Sequence, residues 1–475
     1  MSSSYDFNFE KLEAVVKRAQ EKAQNEKKEI LVSYSERVKE IDPVLFLEDN
    51  VKRFTNDTFF WKEAKEEFFL VGLGISKILF ADESTERYKQ IYNNWKDLID
   101  HAIIEGQTVY KKGVGPLLFG AFNFMKQHRL TNLWNEYQHG VFYLPQFLLT
   151  RYNEETYLTT NCIVSPDKQM DIASILHLKE EIINEISIAS HESSINCHIQ
   201  KDNRIIYVKE EEVKEWLQNV DQAIQQLKNQ ELKKVVLARK ATVEVNQKID
   251  SLQVLKNLRE HESNNFLFSF QRNGNVFIGA TPERLVSIEN DKAYSACIAG
   301  SIPRGKTEKE DQQNKKNLFQ DEKNRSEHQL VVDMISESFQ KICTEVLYKS
   351  EPEIMTNPHI FHLYTPIEGK LNKEVTIFDA IEILHPTPAL GGTPRELALK
   401  LIEKYETFDR GLYGAPIGWV DSKMNGEFVV GIRSALIKGN QAYLFAGCGV
   451  VKDSDPFLEY EETKTKLRPM LRALN

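Results

Sequence analysis

The 475 residues are 41% hydrophobic and 28% charged, enough apolar material for a large core, which excludes a disordered chain. The net charge of -9 is spread without long blocks, whereas a nucleic-acid binder carries a basic surplus. An acidic protein repels anionic metabolites, so an anionic substrate requires local cations or a metal at its site.

The spacing predicts a helix rich in Lys, Glu and Ala over residues 8–28. Strand-like runs follow at 29–38, 68–76, 116–124, 141–151 and 156–164, with a helical pattern over 86–104 among them. A long polar stretch with helical spacing covers 169–229. It is the best place to divide an N-terminal portion, 1–210, from a C-terminal portion, 211–475. Beyond it come a strand at 233–245, a helix at 251–261 and strands at 265–271, 276–280 and 284–289. Residues 304–323 are so polar that they read as a mobile loop. A long helix is expected over 324–346, with Leu330, Val331, Met334, Ile335 and Phe339 on its apolar side. Helices near 375–384 and 393–406 flank a Pro/Gly-rich turn. A hairpin at Lys438-Gly439-Asn440 joins strands 427–437 and 441–451, and a helix over 456–474 closes the chain. Strands and helices are clustered, not alternating, which favours an α+β fold with antiparallel sheets over a Rossmann fold.

Several segments have the residue types that chemistry needs. Lys234 lies in KKVVLARK, where Val235, Val236 and Leu237 make a buried strand. One of the two lysines must then face the core or a cleft, and a desolvated lysine loses basicity and can serve as a base; solvated strand-end charges are the alternative. Glu283 follows a Gly-Ala-Thr-Pro turn, where a partly buried carboxyl can act as a general acid, or simply pair with Arg284 at the surface. Glu327 sits near a helix start. Glu459 and Glu462 are three residues apart on one helix face. Such carboxylates are hard oxygen ligands of the kind magnesium takes, or a solvated acidic face. The run His385-Pro-Thr-Pro-Ala-Leu-Gly-Gly has the rigidity of either a connector or a ligand-binding turn. Arg433 and Lys466 are cations in apolar or helical settings, suited to a carboxylate or to a structural ion pair.

Other readings find no support. The five cysteines, Cys162, Cys197, Cys297, Cys343 and Cys448, are odd in number and form no CxxC, so neither zinc nor a disulfide framework is expected. The N-terminus lacks an apolar signal region, and no run of about 18 apolar residues occurs, so no membrane span is expected. A reducing cytoplasm fits, and the sequons at Asn56 and Asn324 then carry no meaning. No dinucleotide loop, Walker sequence or Gly-x-Ser-x-Gly elbow is present.

The order of the segments is more telling than any one of them. KVVLAR, GATPERL, the Ile298–Ser301 run IAGS, EKNRSEH, HPTPALGG, RGLYGAPIGW, GIRSA, LFAGCGVV and EYEETKTK together resemble the chorismate-binding family. That family includes anthranilate synthase component I, aminodeoxychorismate synthase, salicylate synthase and isochorismate synthase. The resemblance runs from about 232 to 474. It implies the family's α+β unit, two large packed antiparallel sheets with outer helices and a deep cleft. It implies Lys234 as the base that activates water and Glu283 as the acid near the departing hydroxyl. It implies Glu327 and Glu462 as magnesium ligands, with Glu459 close by. Gly300, Ser301, His362, Ala389, Leu390, Tyr413, Arg433, Gly447 and Lys466 match positions that line the substrate site. Asn324 departs from the family, which often carries an acidic residue three before Glu327.

Two positions separate the family's branches. Anthranilate synthases usually carry Gln where this chain has Lys234. Aminodeoxychorismate synthases typically carry a nucleophilic Lys where this chain has Ala299, which has no nucleophile. A base without an amine nucleophile leaves water as the attacking species, so the resemblance implies Mg2+-dependent conversion of chorismate to isochorismate. Salicylate synthase, which adds pyruvate elimination, is the nearest alternative, with a siderophore-pathway isochorismate synthase beside it. The segments FFWKEAKEEFFLVGLG and GPLLFGAFNF resemble the menaquinone-type branch. The expectation is a cytoplasmic monomer with chorismate as its small-molecule partner, needing no glutaminase subunit, nucleic acid or membrane.

Overall fold

A computed structural model describes residues 9–84, 86–107, 111–126, 133–189, 205–229, 231–356 and 360–475. Cys197 and parts of the expected helices over 8–28 and 169–229 lie outside the described residues. The chain begins with α1 (Phe9–Glu26), β1 (Ile30–Val38), α2 (Pro43–Asn50), β2 (Thr58–Lys62), β3 (Phe68–Phe80), α3 (Arg87–Asp100) and β4 (Ile103–Gly106). It continues through β5 (Leu117–Phe122), β6 (Gly140–Tyr152), β7 (Glu155–Val164), α4 (Ile172–Ala189), β8 (Ile205–Glu210) and α5 (Val213–Asn229). Next come β9 (Lys234–Val245), α6 (Ser251–His261), β10 (Phe266–Arg272), β11 (Asn275–Thr281), β12 (Arg284–Glu289), β13 (Lys292–Pro303), α7 (Glu308–Gln320) and α8 (Glu322–Gln340). Then follow β14 (Cys343–Tyr348), β15 (Glu353–Thr356), β16 (Ile360–Leu371), α9 (Ile377–Leu384), β17 (Gly392–Thr393) and α10 (Arg395–Tyr405). The last elements are β18 (Pro416–Asp421), β19 (Gly426–Val430), β20 (Ser434–Lys438), β21 (Gln441–Val450) and α11 (Pro456–Leu474).

The strands form two large sheets that share one long strand. The first has the order β4-β1-β7-β6-β3-β2-β10-β11-β20-β21-β9-β8. The second runs β6-β5-β18-β19-β12-β13-β16, with β14 and β15 along the far edge of β16. β6 serves both: residues 147–152 pair with β7 and residues 140–143 with β5. Among the described residues every pairing is antiparallel except β1 with β4, as the clustered sequence pattern implies. Strands of the two sequence portions hydrogen-bond directly, β2 to β10 and β5 to β18.

Three apolar layers follow from this arrangement. Between the sheets lies an aromatic core that includes Phe59, Trp61, Phe119, Trp134, Phe270, Phe277, Trp419 and Phe445. Phe59 and Phe119 stack at 4.2 Å between ring centroids; offset aromatic pairs of this kind add about 0.5–1.5 kcal/mol beyond area burial. Outside the first sheet, apolar faces of α1, α2, α4, α6 and α11 bury Leu12, Phe46, Ile182, Leu255 and Leu467. Outside the second sheet and the end of β9, α3, α5, α8, α9 and α10 bury Trp95, Val220, Val331, Ile381 and Ile402.

Four local expectations need correction. The stretch 169–229, given helical spacing throughout, contains the strand β8 at Ile205–Glu210, which pairs with β9. The polar run 304–323, read as a mobile loop, contains α7. Thr307 caps it by accepting from the Glu310 amide, and Glu308, Glu310 and Asp311 occupy its first turn, where negative charge offsets the helix dipole. It packs chiefly through Leu318 against Phe361 and Leu363, so its sequence carries little apolar periodicity. The helix expected over 324–346 is α8, which stops at Gln340; Cys343–Tyr348 pairs with β16 instead. The strand expected over 427–437 is broken into β19 and β20, because the chain leaves the second sheet for the first at residues 431–433.

Candidate active site

Lys234 opens β9 at the point where β17 pairs with it. Its side chain is only 10% exposed, and its Nζ donates to Glu327 Oε1 at 3.0 Å. The space for this side chain comes from β21. Gly447 and Gly449 sit opposite Ala238 and Val236 on β9, and strand residues two apart share a face. A Cβ on Gly449 would lie 2.6 Å from Lys234 Cε and 3.2 Å from its Nζ. Gly449 therefore has to lack a side chain for Lys234 to lie where it does. It is a site residue that sequence reasoning did not single out, although the Gly-x-Gly spacing in a strand was the signal.

Glu283 lies where the chain passes from β11 in the first sheet to β12 in the second. This crossing is fastened to the other one, because the Val430 amide donates to the Glu283 carbonyl at 3.1 Å. Burial pushes the Glu283 carboxyl up to about 7, against the opposing pull of Lys234 and Lys466 and of the Thr387 hydroxyl beside it. A carboxylic acid that keeps its proton near neutrality is what a general acid requires. Arg433 marks the second crossing with a left-handed backbone, φ +50°. Among the described residues its guanidinium makes no side-chain hydrogen bond. Burial lowers its pKa, while Tyr413 and Glu462 are among the groups that favour its charge.

The opposite wall comes from β13, β16 and α8. Pairing of β13 with β16 shifts register between Ala299 and Ser301, and Gly300 takes φ +77° there. The bulge brings Ser301 opposite His362, whose Nδ1 is 2.6 Å from Ser301 Oγ. Asn324 Oδ1 accepts from the Ser301 amide at 3.2 Å, so the residue that departs from the family's acidic pattern pins this bulge. His362 is pushed down to about 4 by burial and by the nearby Arg433 and Lys466, so it is a neutral hydrogen-bonding group near pH 7.

α11 supplies the remaining groups. Lys466 Nζ donates to the Gly447 carbonyl at 2.9 Å and pairs with Glu462 at 2.5 Å. Glu459, one turn earlier, is held above the usual carboxylate range by burial, with Glu462 adding to the effect. Tyr413 is buried; its hydroxyl lies 3.2 Å from where a Gly447 Cβ would be, so it shares the glycine-lined face. The turn after α9 contains cis bonds at His385–Pro386 and Thr393–Pro394. It carries the Thr387 hydroxyl, which is buried near Glu283 without a hydrogen-bond partner among the described residues, with Ala389 half-buried and Leu390 buried in the same turn.

Lys234, Glu283, Glu327, His362, Arg433, Glu462 and Lys466 are thus linked through direct bonds or mutual electrostatic effects. Among the described residues, no group of three or more His, Cys, Asp or Glu side chains is gathered as a ready metal cage. Glu327 and Glu462, 44% and 49% exposed, each pair with a lysine. Two accessible carboxylates nonetheless suit magnesium, which typically takes one or two protein carboxylates together with water and substrate oxygens. The fit to that ion is chemical; a pre-formed geometry is not part of it.

Comparison with known proteins agrees with this picture. The sequence pattern of the family described as chorismate binding enzyme matches residues 16–475. The chain is 38% identical over 463 residues to the isochorismate synthase MenF of Bacillus subtilis, covering 97% of this chain and 96% of that one. It is 31% identical over 464 residues to the salicylate biosynthesis isochorismate synthase of Pseudomonas aeruginosa, covering 98% and 94%. The menaquinone-specific isochorismate synthase MenF of Escherichia coli has a similar fold, with a TM-score of 0.74 at 22% identity over 97% of this chain and 100% of that one. Anthranilate synthase component I of Streptococcus pneumoniae also shares the fold, with a TM-score of 0.69 at 21% identity over 85% and 92%.

Proposed function

The chain belongs to the family of chorismate-binding enzymes, and from that premise we propose how it acts as an isochorismate synthase, an isomerase that converts chorismate to isochorismate for menaquinone biosynthesis. The observation that carries the mechanism is the proximity of an amine and a carboxylic acid. Lys234 and Lys466 lie close enough to Glu283 to oppose the rise in its pKa, and Arg433 and Lys466 lie close to His362.

In the proposed reaction, Arg433 and Lys466 receive the carboxylates of the dianionic substrate, aided by Ser301 and the neutral His362. Once the Lys234–Glu327 pair has opened and the ammonium has given its proton to solvent, the neutral Lys234 amine takes a proton from a water poised at C2 of the ring. Glu283 protonates the C4 hydroxyl as it departs, and the double bonds shift. Each such proton transfer typically supplies about 10²–10⁴-fold; positioning and charge stabilisation supply the rest. Glu327 and Glu462, with Glu459 behind them, would hold a magnesium ion. When bound, the ion supplies positive charge that offsets the substrate carboxylate. Lys234, where ammonia-using relatives usually carry Gln, supports water over ammonia, and Ala299, which has no amine, supports water over a lysine adduct.

The greater identity to the menaquinone-type relative than to the salicylate-pathway one supports the menaquinone assignment. No described helix is long and apolar enough to cross a membrane, and the four described cysteines are buried and free. These features support a cytoplasmic enzyme. It acts in this reading as a monomer without a glutaminase. Purified chain incubated with chorismate and Mg2+, without glutamine or ammonia, should form isochorismate without stoichiometric pyruvate. Pyruvate and salicylate at the initial rate would instead assign the lyase-competent branch. Loss of all turnover on supplying only water as nucleophile would overturn the hydration reading.

A further inference from the structure

The edge of β9 that carries Lys234 is covered by strands only in part. β17 pairs with it at Lys234 and Val235, and β8 takes over at Ala241. Between them the backbone groups of a buried strand need partners. Side chains from elsewhere provide them. Arg410 Nη2 donates to the Val236 carbonyl at 2.8 Å, Glu406 Oε1 accepts from the Ala238 amide at 2.7 Å, and Trp216 Nε1 donates to the Ala238 carbonyl at 3.0 Å. Three side chains thus stand in for a missing strand.

Arg410 does more than fill the edge. Its Nη1 donates to the Leu390 carbonyl at 2.9 Å, and its Nε donates to Glu406 Oε2 at 2.8 Å. Arg410 and Glu406 are 2% and 4% exposed, and the guanidinium lies 4.3 Å from the Phe124 ring centroid. One planar, five-donor group therefore ties together the strand bearing Lys234, the turn bearing Thr387 and Leu390, and the segment leading to Tyr413. The carboxylate that neutralises it also grips the same strand. A fixed fork of donors can hold two carbonyls and a carboxylate in one geometry, which a lysine cannot reproduce.

We propose that Arg410, braced by Glu406, is a positioning residue that sets the Lys234 amine against the Glu283–Thr387 side of the cleft. The proposal rests on Lys234 being the base. A crevice of about 120 Å³ borders the gap and is lined by Trp216, Ala238 and Glu406 among others. Of the groups that Arg410→Lys would leave short of a donor, Glu406 borders this crevice, and lysine keeps a cation beside that carboxylate, so the variant should fold.

The test compares Arg410→Lys, Glu406→Gln and Lys234→Met, with rates normalised to folded protein. For Arg410→Lys, kcat and kcat/KM should fall together by about 10²-fold, as a misplacement of roughly 1 Å produces, with KM little changed. Glu406→Gln, which keeps an acceptor for the Ala238 amide but removes the ion pair, should fall in the same direction by less. A purely structural role would lower the melting temperature and leave kcat per folded molecule at the parent value, and that result would overturn the proposal. Should Arg410→Lys not fold, parent-like kcat in Glu406→Gln overturns it equally. If Lys234→Met is inactive while both brace variants are parent-like, only the brace is refuted. An active Lys234→Met removes the base reading and the brace's purpose with it.

Discussion

Replacing Gly449 with alanine should cripple catalysis and leave the fold alone. The new Cβ would stand 2.6 Å from Lys234 Cε, about 0.9 Å short of the ~3.5 Å at which two carbons rest. What must yield is the far end of a flexible side chain, so strand β21 keeps its pairing with β9. Gly449 is not among the residues with positive φ, so alanine meets no backbone strain. Restricting the unfolded chain even favours the variant by about 0.4–1 kcal/mol. The lysine amine, however, is driven from its place by nearly 1 Å, a displacement that costs on the order of 10²-fold in rate. Initial rates of isochorismate formation, followed by chromatography at saturating chorismate, should show this fall with an unchanged or higher melting temperature. A variant with the parent's kcat would show that the glycine slot does not aim Lys234, and the assignment of the base would lose its steric support.

Glu283 gives a prediction in pH. As the acid, it must be protonated, so kcat/KM should decline as pH rises through about 7, and a profile flat across that range would remove it from the role. The same shift has a stability sign. Its folded-state value lies above the ordinary 4.5, so the cost of burying it is absent below about 4.5 and grows until pH passes about 7. Glu283→Gln should therefore gain stability relative to the parent at pH 8 but not at pH 4, read by urea denaturation at both. For the metal, Glu462→Gln should weaken Mg2+ binding in a calorimetric titration with chorismate present; an unchanged isotherm would exclude it as a ligand. Asp455 caps α11 by accepting from the Phe457 and Leu458 amides. Asp455→Ala should cost about 1 kcal/mol in thermal unfolding, and no loss would mean that the helix carrying Glu459, Glu462 and Lys466 is held by packing alone.

Much of the frame was legible because local signals agreed with tertiary ones. The spans of α6, α9 and α11 have clear caps, Asp250, the Thr376–Asp379 capping box and Asp455 with Pro456, and α10, which has no side-chain cap, is marked by its apolar face. β8 was not legible, since its residues Ile206, Tyr207 and Val208 are exposed and show no inward period. The break between β19 and β20 was hidden too. Val429 through Ile437 has apolar residues on both sides of Gly431, Arg433 and Ser434, and the change of sheet, with Arg433 left-handed at the junction, divides it. At the site, residue types were readable one by one, and their order along the chain carried the family resemblance. The pairing of Lys234 with Glu327 across 93 residues, the Gly449 slot and the Asn324 contact to Ser301 depend on how two sheets meet, which no local window encodes.

The pairing of β2 with β10 and of β5 with β18 has a consequence for dissection of this enzyme. All the residues assigned to chemistry lie beyond residue 233, which makes that half look like a self-sufficient unit. Severed there, it would expose β10 and β18 as bare ribbons of unpaired amides and carbonyls beside the aromatic layer, the kind of surface that recruits other chains into aggregates. A C-terminal fragment should come out of cells insoluble, and co-expression with the N-terminal segment as a separate chain should return both solubility and turnover. The first half of the polypeptide is thus the permanent cover of edges that the second half cannot close by itself.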